Sequence, residues 1–163
     1  MNSLSHFDER GASRMVDVSE KPETTRTALA SGRVSMQPAT LRLVRDRQLA
    51  KGDVLEVARL AGIQAAKRTW ELIPLCHQVP LTSVTIDFSF PDEHSVRILP
   101  TAHATARTGV EMEALTAVAV AALTIYDMCK AVDRAMMLDE VCLEEKTGGR
   151  RGPYRRATQE GNS

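Results

Sequence analysis

From Ala114 to Leu123 the chain is apolar nearly all the way round a helix, with Thr116 the only polar side chain. A helix without a wet face must be covered, either by a sheet of its own chain or by a neighbouring subunit. Just upstream, Thr108-Gly109-Val110-Glu111 reads as a capping box, in which a threonine hydroxyl and a glutamate satisfy two free backbone amides. The spacing predicts a helix that opens there and runs to about Ala135.

The covering surface is legible as strands. Val84, Ile86, Phe88 and Phe90 alternate with Ser83, Thr85, Asp87 and Ser89, a period of two that gives one dry and one wet face. Pro91-Asp92-Glu93 supplies a turn, and Val96 and Ile98 continue the alternation in an antiparallel partner. That partner extends past Pro100 to His103 if the proline lies at an edge or a bulge. A short strand around Arg33–Met36 precedes Pro38, which suits the first turn of a helix through Leu41, Val44 and Arg47. Asp53 caps a second helix, with Val54, Val57, Ala58 and Ala61 as its buried face and an end before Pro74. Val141 and Leu143, alternating with Glu140, Cys142 and Glu144, predict a last strand. The order strand, helices, two strands, helix, strand specifies an α+β protein of the ferredoxin-like split βαβ type, an antiparallel sheet with helices packed on one face.

Composition adds exclusions. The 163 residues are 43% hydrophobic and 26% charged, the balance of one globular domain. We expect a loosely ordered arm over residues 1–30, a single catalytic domain over 31–146 and a basic Gly-rich tail over 147–163. Twenty-one Lys plus Arg balance twenty-one Asp plus Glu, so no global field draws the chain to nucleic acid or to an anionic membrane. No apolar stretch of about 18 residues is free of charge and the first twenty residues lack a signal-peptide core, which predicts a cytoplasmic protein with no membrane partner. Cys76, Cys129 and Cys142 are widely spaced with no C-x-x-C, which predicts reduced thiols, no metal site and no resident cofactor.

Three groups of residues could carry chemistry. On the apolar helix Glu113, Thr116, Thr124, Asp127 and Lys130 fall in one angular sector, and polar groups removed from water need partners, which a ligand could supply. Asp127 and Lys130, three apart, would equally form a helical ion pair, and Glu111 and Glu113 suit a helix N-terminus on dipole grounds alone. In Leu72-Ile73-Pro74-Leu75-Cys76-His77-Gln78 a thiol and an imidazole adjoin in an irregular loop, where His77 could as well be a capping or core histidine. The run Lys146-Thr147-Gly148-Gly149-Arg150-Arg151-Gly152 could seat a phosphate, although it lacks the Walker pattern and a solvated basic tail has the same composition.

Taken in order, Met15–Ser19, Lys51–Val54, Ala61–Trp70, Leu72–His77, Thr108–Ala114, Leu123–Val132 and Lys146–Gly149 resemble the cyclic pyranopterin monophosphate synthases of molybdenum cofactor biosynthesis. The resemblance spans the chain from about His6 to Gly152. It implies a lyase that converts (8S)-3',8-cyclo-7,8-dihydroguanosine 5'-triphosphate, a nucleotide-derived substrate, into cyclic pyranopterin monophosphate with release of diphosphate. It also implies a homohexamer, a trimer of dimers, with sites at subunit interfaces. By matching motif, Asp127, Lys130 and Lys51 resemble the catalytic residues. Leu75, Cys76, His77, Met112 and Glu113 resemble substrate-binding positions, with Glu111 and Lys146 supporting the pocket. Gln78 and Arg107 stand where many members carry proline and lysine. Whether Lys51 and Lys130 reach one site from one subunit or from two is open at this level.

A rival of another class is a noncatalytic nucleotide- or RNA-binding ferredoxin-like module, with Phe88 and Phe90 as stacking residues and the basic tail as a backbone clamp. Zero net charge weighs against it, and both phenylalanines share the apolar strand face with Val84 and Ile86.

Overall fold

The structure is a computed structural model and describes residues 6–8 and 10–157. Five strands form one antiparallel sheet: β1 (Thr24–Ser35), β2 (Leu81–Asp92), β3 (Ser95–Ala106), β4 (Met137–Thr147) and the two-residue β5 (Tyr154–Arg155), in spatial order β2-β3-β1-β4-β5. The helices are α1 (Pro38–Arg45), α2 (Val54–Lys67), α3 (Thr69–Leu72) and α4 (Glu111–Cys129). The first four strands with α2 and α4 reproduce the split βαβ order expected from the sequence.

Helix α4 lies on the sheet through Ala114, Ala117, Val118, Ala121, Ala122 and Ile125, all essentially without solvent contact. Its apolarity is matched by β1 and β3, which turn Ala28, Ala30, Val34, Val96, Ile98, Ala102 and Ala104 toward the helices. The small alanines let a helix approach closely, and Gly62 does the same for the packing of α2 on α4: a Cβ there would lie 3.0 Å from the Ala117 carbonyl oxygen and against Ile86. By length and composition α4 could cross a membrane. In this fold it is the core helix.

Local signals account for most element ends. Pro38 sits in the first turn of α1, and the Asp53 carboxylate accepts the Glu56 amide at 3.2 Å to cap α2. Helix α2 stops at Lys67, where Thr69 Oγ1 donates to the Ala65 and Ala66 carbonyls and a single turn, α3, leads to Pro74.

Several expectations need correction. The first strand runs Thr24–Ser35 rather than around Arg33–Met36, so seven residues assigned to the arm lie in a central strand; its inward positions there are the small Ala28 and Ala30, which pack against Ala102, Ala104 and Ala114 and give only a weak apolar alternation. The α2 face is Val54, Ala58, Gly62, Ala65 and Ala66, while Val57 is 42% exposed, because the Gly62 notch sets the rotation of the helix against α4. The capping box does not form. Val110 is the N-cap, no side chain caps it, and Glu111 instead folds its carboxyl over Gly109. Helix α4 ends at Cys129, six residues before Ala135, where the Val132 and Asp133 amides both turn back to the Cys129 carbonyl. Strand β3 does continue past Pro100, to Ala106, but as an inner strand. The proline faces a gap in the β1 ladder between Leu29↔Thr101 and Gly32↔Ile98, where a missing N–H is tolerated.

Candidate active site

The loop after α3 brings Ile73, Pro74, Leu75, Cys76 and His77 against the first turn of α4. Together with Val79, Thr108, Gly109, Glu111, Met112 and Glu113 they line a cavity of about 430 Å3, which His6 from the N-terminal segment also borders. Six of the seven binding positions expected from the sequence therefore meet in one recess, at the N-terminal end of α4.

Glu113 dominates its electrostatics. The residue is only 3% exposed, its Oε2 has no hydrogen-bond partner among the described residues, and Cys76 Sγ lies 4.0 Å from Oε1. Burial, with the Glu111 charge adding, pushes the Glu113 carboxyl up to about 7. The same burial, with Glu113 and Glu111 nearby, raises the Cys76 thiol above its ordinary value, so neither group favours its charged form here. His77 Nε2 donates to the Val16 carbonyl at 2.7 Å, since a carbonyl can only accept. Met112 stands at the mouth, 38% exposed.

Lys146 lies on β4 opposite Ala28, at the end of the sheet that carries this recess. The loop after it holds Gly148 and Gly149 at φ 87° and 82°, where side chains are strained, and wraps Arg26 so closely that a Cβ on either glycine would meet it. Arg26, buried, in turn donates to the Ala106 and Arg107 carbonyls at 3.2 and 3.3 Å, just before the recess wall begins at Thr108. Nothing in the composition around Arg26 marked it out. Arg107 is tied differently, donating from Nη1 to the Ser19 carbonyl at 2.9 Å.

The other candidates stand elsewhere. Lys130 Nζ donates to Asp127 Oδ1 at 2.6 Å, and Lys51 Nζ donates to the Asp127 carbonyl at 3.1 Å with Oδ2 at 3.9 Å. Lys51 reaches there because Gly52, at φ 95°, turns the chain into the Asp53 cap. The bonded Lys130 ammonium, with help from Lys51, holds the Asp127 carboxyl below its ordinary value. Both lysines thus come from one subunit onto one carboxylate, and the helical ion pair foreseen from spacing is formed. All three side chains are at least half exposed, contrary to the buried polar stripe that the wheel suggested; only its N-terminal members, Glu113 and Thr116, are buried.

The two groups lie at opposite ends of α4. Fourteen residues separate Glu113 from Asp127, a rise of about 21 Å along the helix. Among the described residues no three His, Cys, Asp or Glu side chains converge as a metal site. The stacking surface of the rival reading is also spoken for: Phe88 and Phe90 pack on the core, with the Arg59 and Arg45 guanidinium carbons 5.2 and 4.9 Å from the ring centroids.

Residues 15–149 match the model of the MoaC family. The chain belongs to that family. Among similar proteins, the cyclic pyranopterin monophosphate synthase 1 of Mycobacterium tuberculosis is 60% identical over 158 residues, covering 97% of this chain and 93% of the relative. The cyclic pyranopterin monophosphate synthase of Thermomicrobium roseum is 61% identical over 161 residues, 98% and 97% of the two chains. That of Magnetococcus marinus is 60% identical over 162 residues, 98% and 99%.

Proposed function

We propose that this chain is a lyase of molybdenum cofactor biosynthesis that converts (8S)-3',8-cyclo-7,8-dihydroguanosine 5'-triphosphate into cyclic pyranopterin monophosphate and diphosphate. The observation that carries the reading is identity near 60% to synthases of that name along essentially the whole of both chains.

The geometry supports a division of labour. The reaction needs proton transfers on a purine-derived ring and cations for a departing diphosphate. In the α4 recess a heterocycle would find the unpartnered Glu113 carboxyl and the His77 ring, with Leu75, Cys76, Met112 and Glu111 as walls. Lys130, oriented by Asp127, serves as the general acid and base, and Lys51, Lys146 and the basic loop after it hold phosphate. A substrate of this size cannot bridge the ends of α4 in one chain, so a second copy must bring its lysine cluster to the recess of the first. The exposed flanks of α2 and α4, with Leu60 at 61% and Leu123 at 58%, offer apolar surface for such an assembly, read here as a homohexamer built as a trimer of dimers with interface sites. A cytoplasmic address follows from the same reading.

The test is a coupled assay in which the cyclised substrate is generated in place and both pterin product and diphosphate are detected. Neither product appearing, while an active relative works in parallel, would refute the function. The composite site is tested by co-expressing Glu113→Ala with Lys130→Ala: mixed oligomers regain turnover that each variant lacks alone if the two ends meet across an interface, and stay inactive if they do not.

A further inference from the structure

The N-terminal segment is more than an arm. Residues around Phe7 and Ser13 pair as an isolated antiparallel bridge, the Arg14 amide donates to the His6 carbonyl at 2.8 Å, and the Asp8 amide to the Ala12 carbonyl at 2.9 Å. The Asp8 carboxylate fastens the turn by accepting the Arg10 and Ala12 amides, both at 2.9 Å. Beyond this hairpin the segment is tied down twice, by His77 to the Val16 carbonyl and by Arg107 to the Ser19 carbonyl. The result places His6 on the rim of the cavity whose floor holds Glu113, a side chain 97% buried and with one carboxyl oxygen unpartnered.

We propose that this hairpin is a wall of the binding site and that His6 is a further substrate-binding residue, facing the ring of the nucleotide-derived substrate across the recess from Glu113. The inference rests on the function proposed above. Two consequences follow from the contacts. The Val16 carbonyl fixes the proton of a neutral His77 ring on Nε2, so Nδ1 is left as an acceptor for a ligand N–H. His6 and Cys76 also line the same cavity, so if the hairpin is its wall, opening the hairpin should change how readily reagents reach that thiol.

The experiment uses the full chain with His6→Ala, His6→Gln and Asp8→Ala. For His6→Ala the expected result is a KM raised about tenfold with kcat changed less than threefold, and partial recovery in His6→Gln, whose amide can still hydrogen-bond. For Asp8→Ala, which opens the turn while keeping His6, alkylation of Cys76 by iodoacetamide, quantified on its own peptide, should accelerate at least threefold. An unchanged KM in His6→Ala overturns the assignment of His6, and an unchanged Cys76 rate in Asp8→Ala overturns the wall. If the wild-type chain lacks turnover altogether, the proposed function fails by itself, and faster Cys76 labelling in Asp8→Ala still upholds the wall.

Discussion

Glu113 offers a direct physical test of the recess. Its carboxyl titrates near 7 in the folded chain against 4.5 ordinarily, so between those values the native state binds more protons than the unfolded state. Stability must therefore fall as pH rises through that window, and the loss is complete above 7. At roughly 1.4 kcal/mol per pH unit the displacement is worth about 3 kcal/mol, most of which falls between pH 5 and 8. Glu113→Gln keeps the shape and cannot ionise. Its own buried amide adds an offset, but that offset does not depend on pH. Urea unfolding of both proteins from pH 5 to 8, at one protein concentration because any self-association would make stability depend on it, should show the variant gaining on the wild type by about 2–3 kcal/mol across the range. Parallel stability curves would refute the reasoning, for they would mean that the carboxyl is not held neutral by burial.

Other outcomes follow from single contacts. Lys130→Ala should lower turnover by a factor of about 100 or more while leaving the thermal midpoint nearly unmoved, since the ion pair it breaks is exposed; turnover at the wild-type level would remove Lys130 as acid and base. Asp53→Ala removes the cap of α2 and should cost about 1 kcal/mol in urea unfolding. Gly62→Val places a branched side chain against Ile86 and the Ala117 carbonyl and should destabilise the chain by roughly 1–3 kcal/mol or more, a loss read as a lower thermal midpoint.

What the sequence made legible follows the reach of its signals. Period-two alternation found β2 because one face is wet, and the Asp53 cap and Pro38 found helix starts because each acts within a few residues. The same logic failed where a partner distant in sequence decides. The β4 bulge opposite Gly32 puts Glu140 at φ 53°, a conformation that glycine would have advertised and glutamate does not. The hairpin at the N-terminus carries the turn chemistry of Asp8 and Gly11, but its docking depends on His77 and Arg107, far along the chain. Thr108 and Glu111 satisfied the capping-box pattern, yet Gly109 leaves room for the glutamate to turn over it, and the box stays open.

The site shows the limit most sharply. Residues Glu113, Thr116, Asp127 and Lys130 share an angular sector of α4, and that periodicity is real in the fold. A wheel, however, projects out the axial coordinate, and about 21 Å of rise between Glu113 and Asp127 is what separates a dry recess from an exposed cationic cluster. The two ends are chemically complementary: one buries a carboxyl whose pKa is raised and leaves one of its oxygens unpartnered, while the other sets two ammonium groups on one carboxylate and has positive charge to spare. Because the core packing of α4 on β1 and β3 fixes that separation within one chain, no side-chain motion can close it. Under the function proposed above, the two ends can therefore serve one substrate only if a second copy supplies one of them, and recovery of turnover on mixing Glu113→Ala with Lys130→Ala is the outcome that this separation predicts.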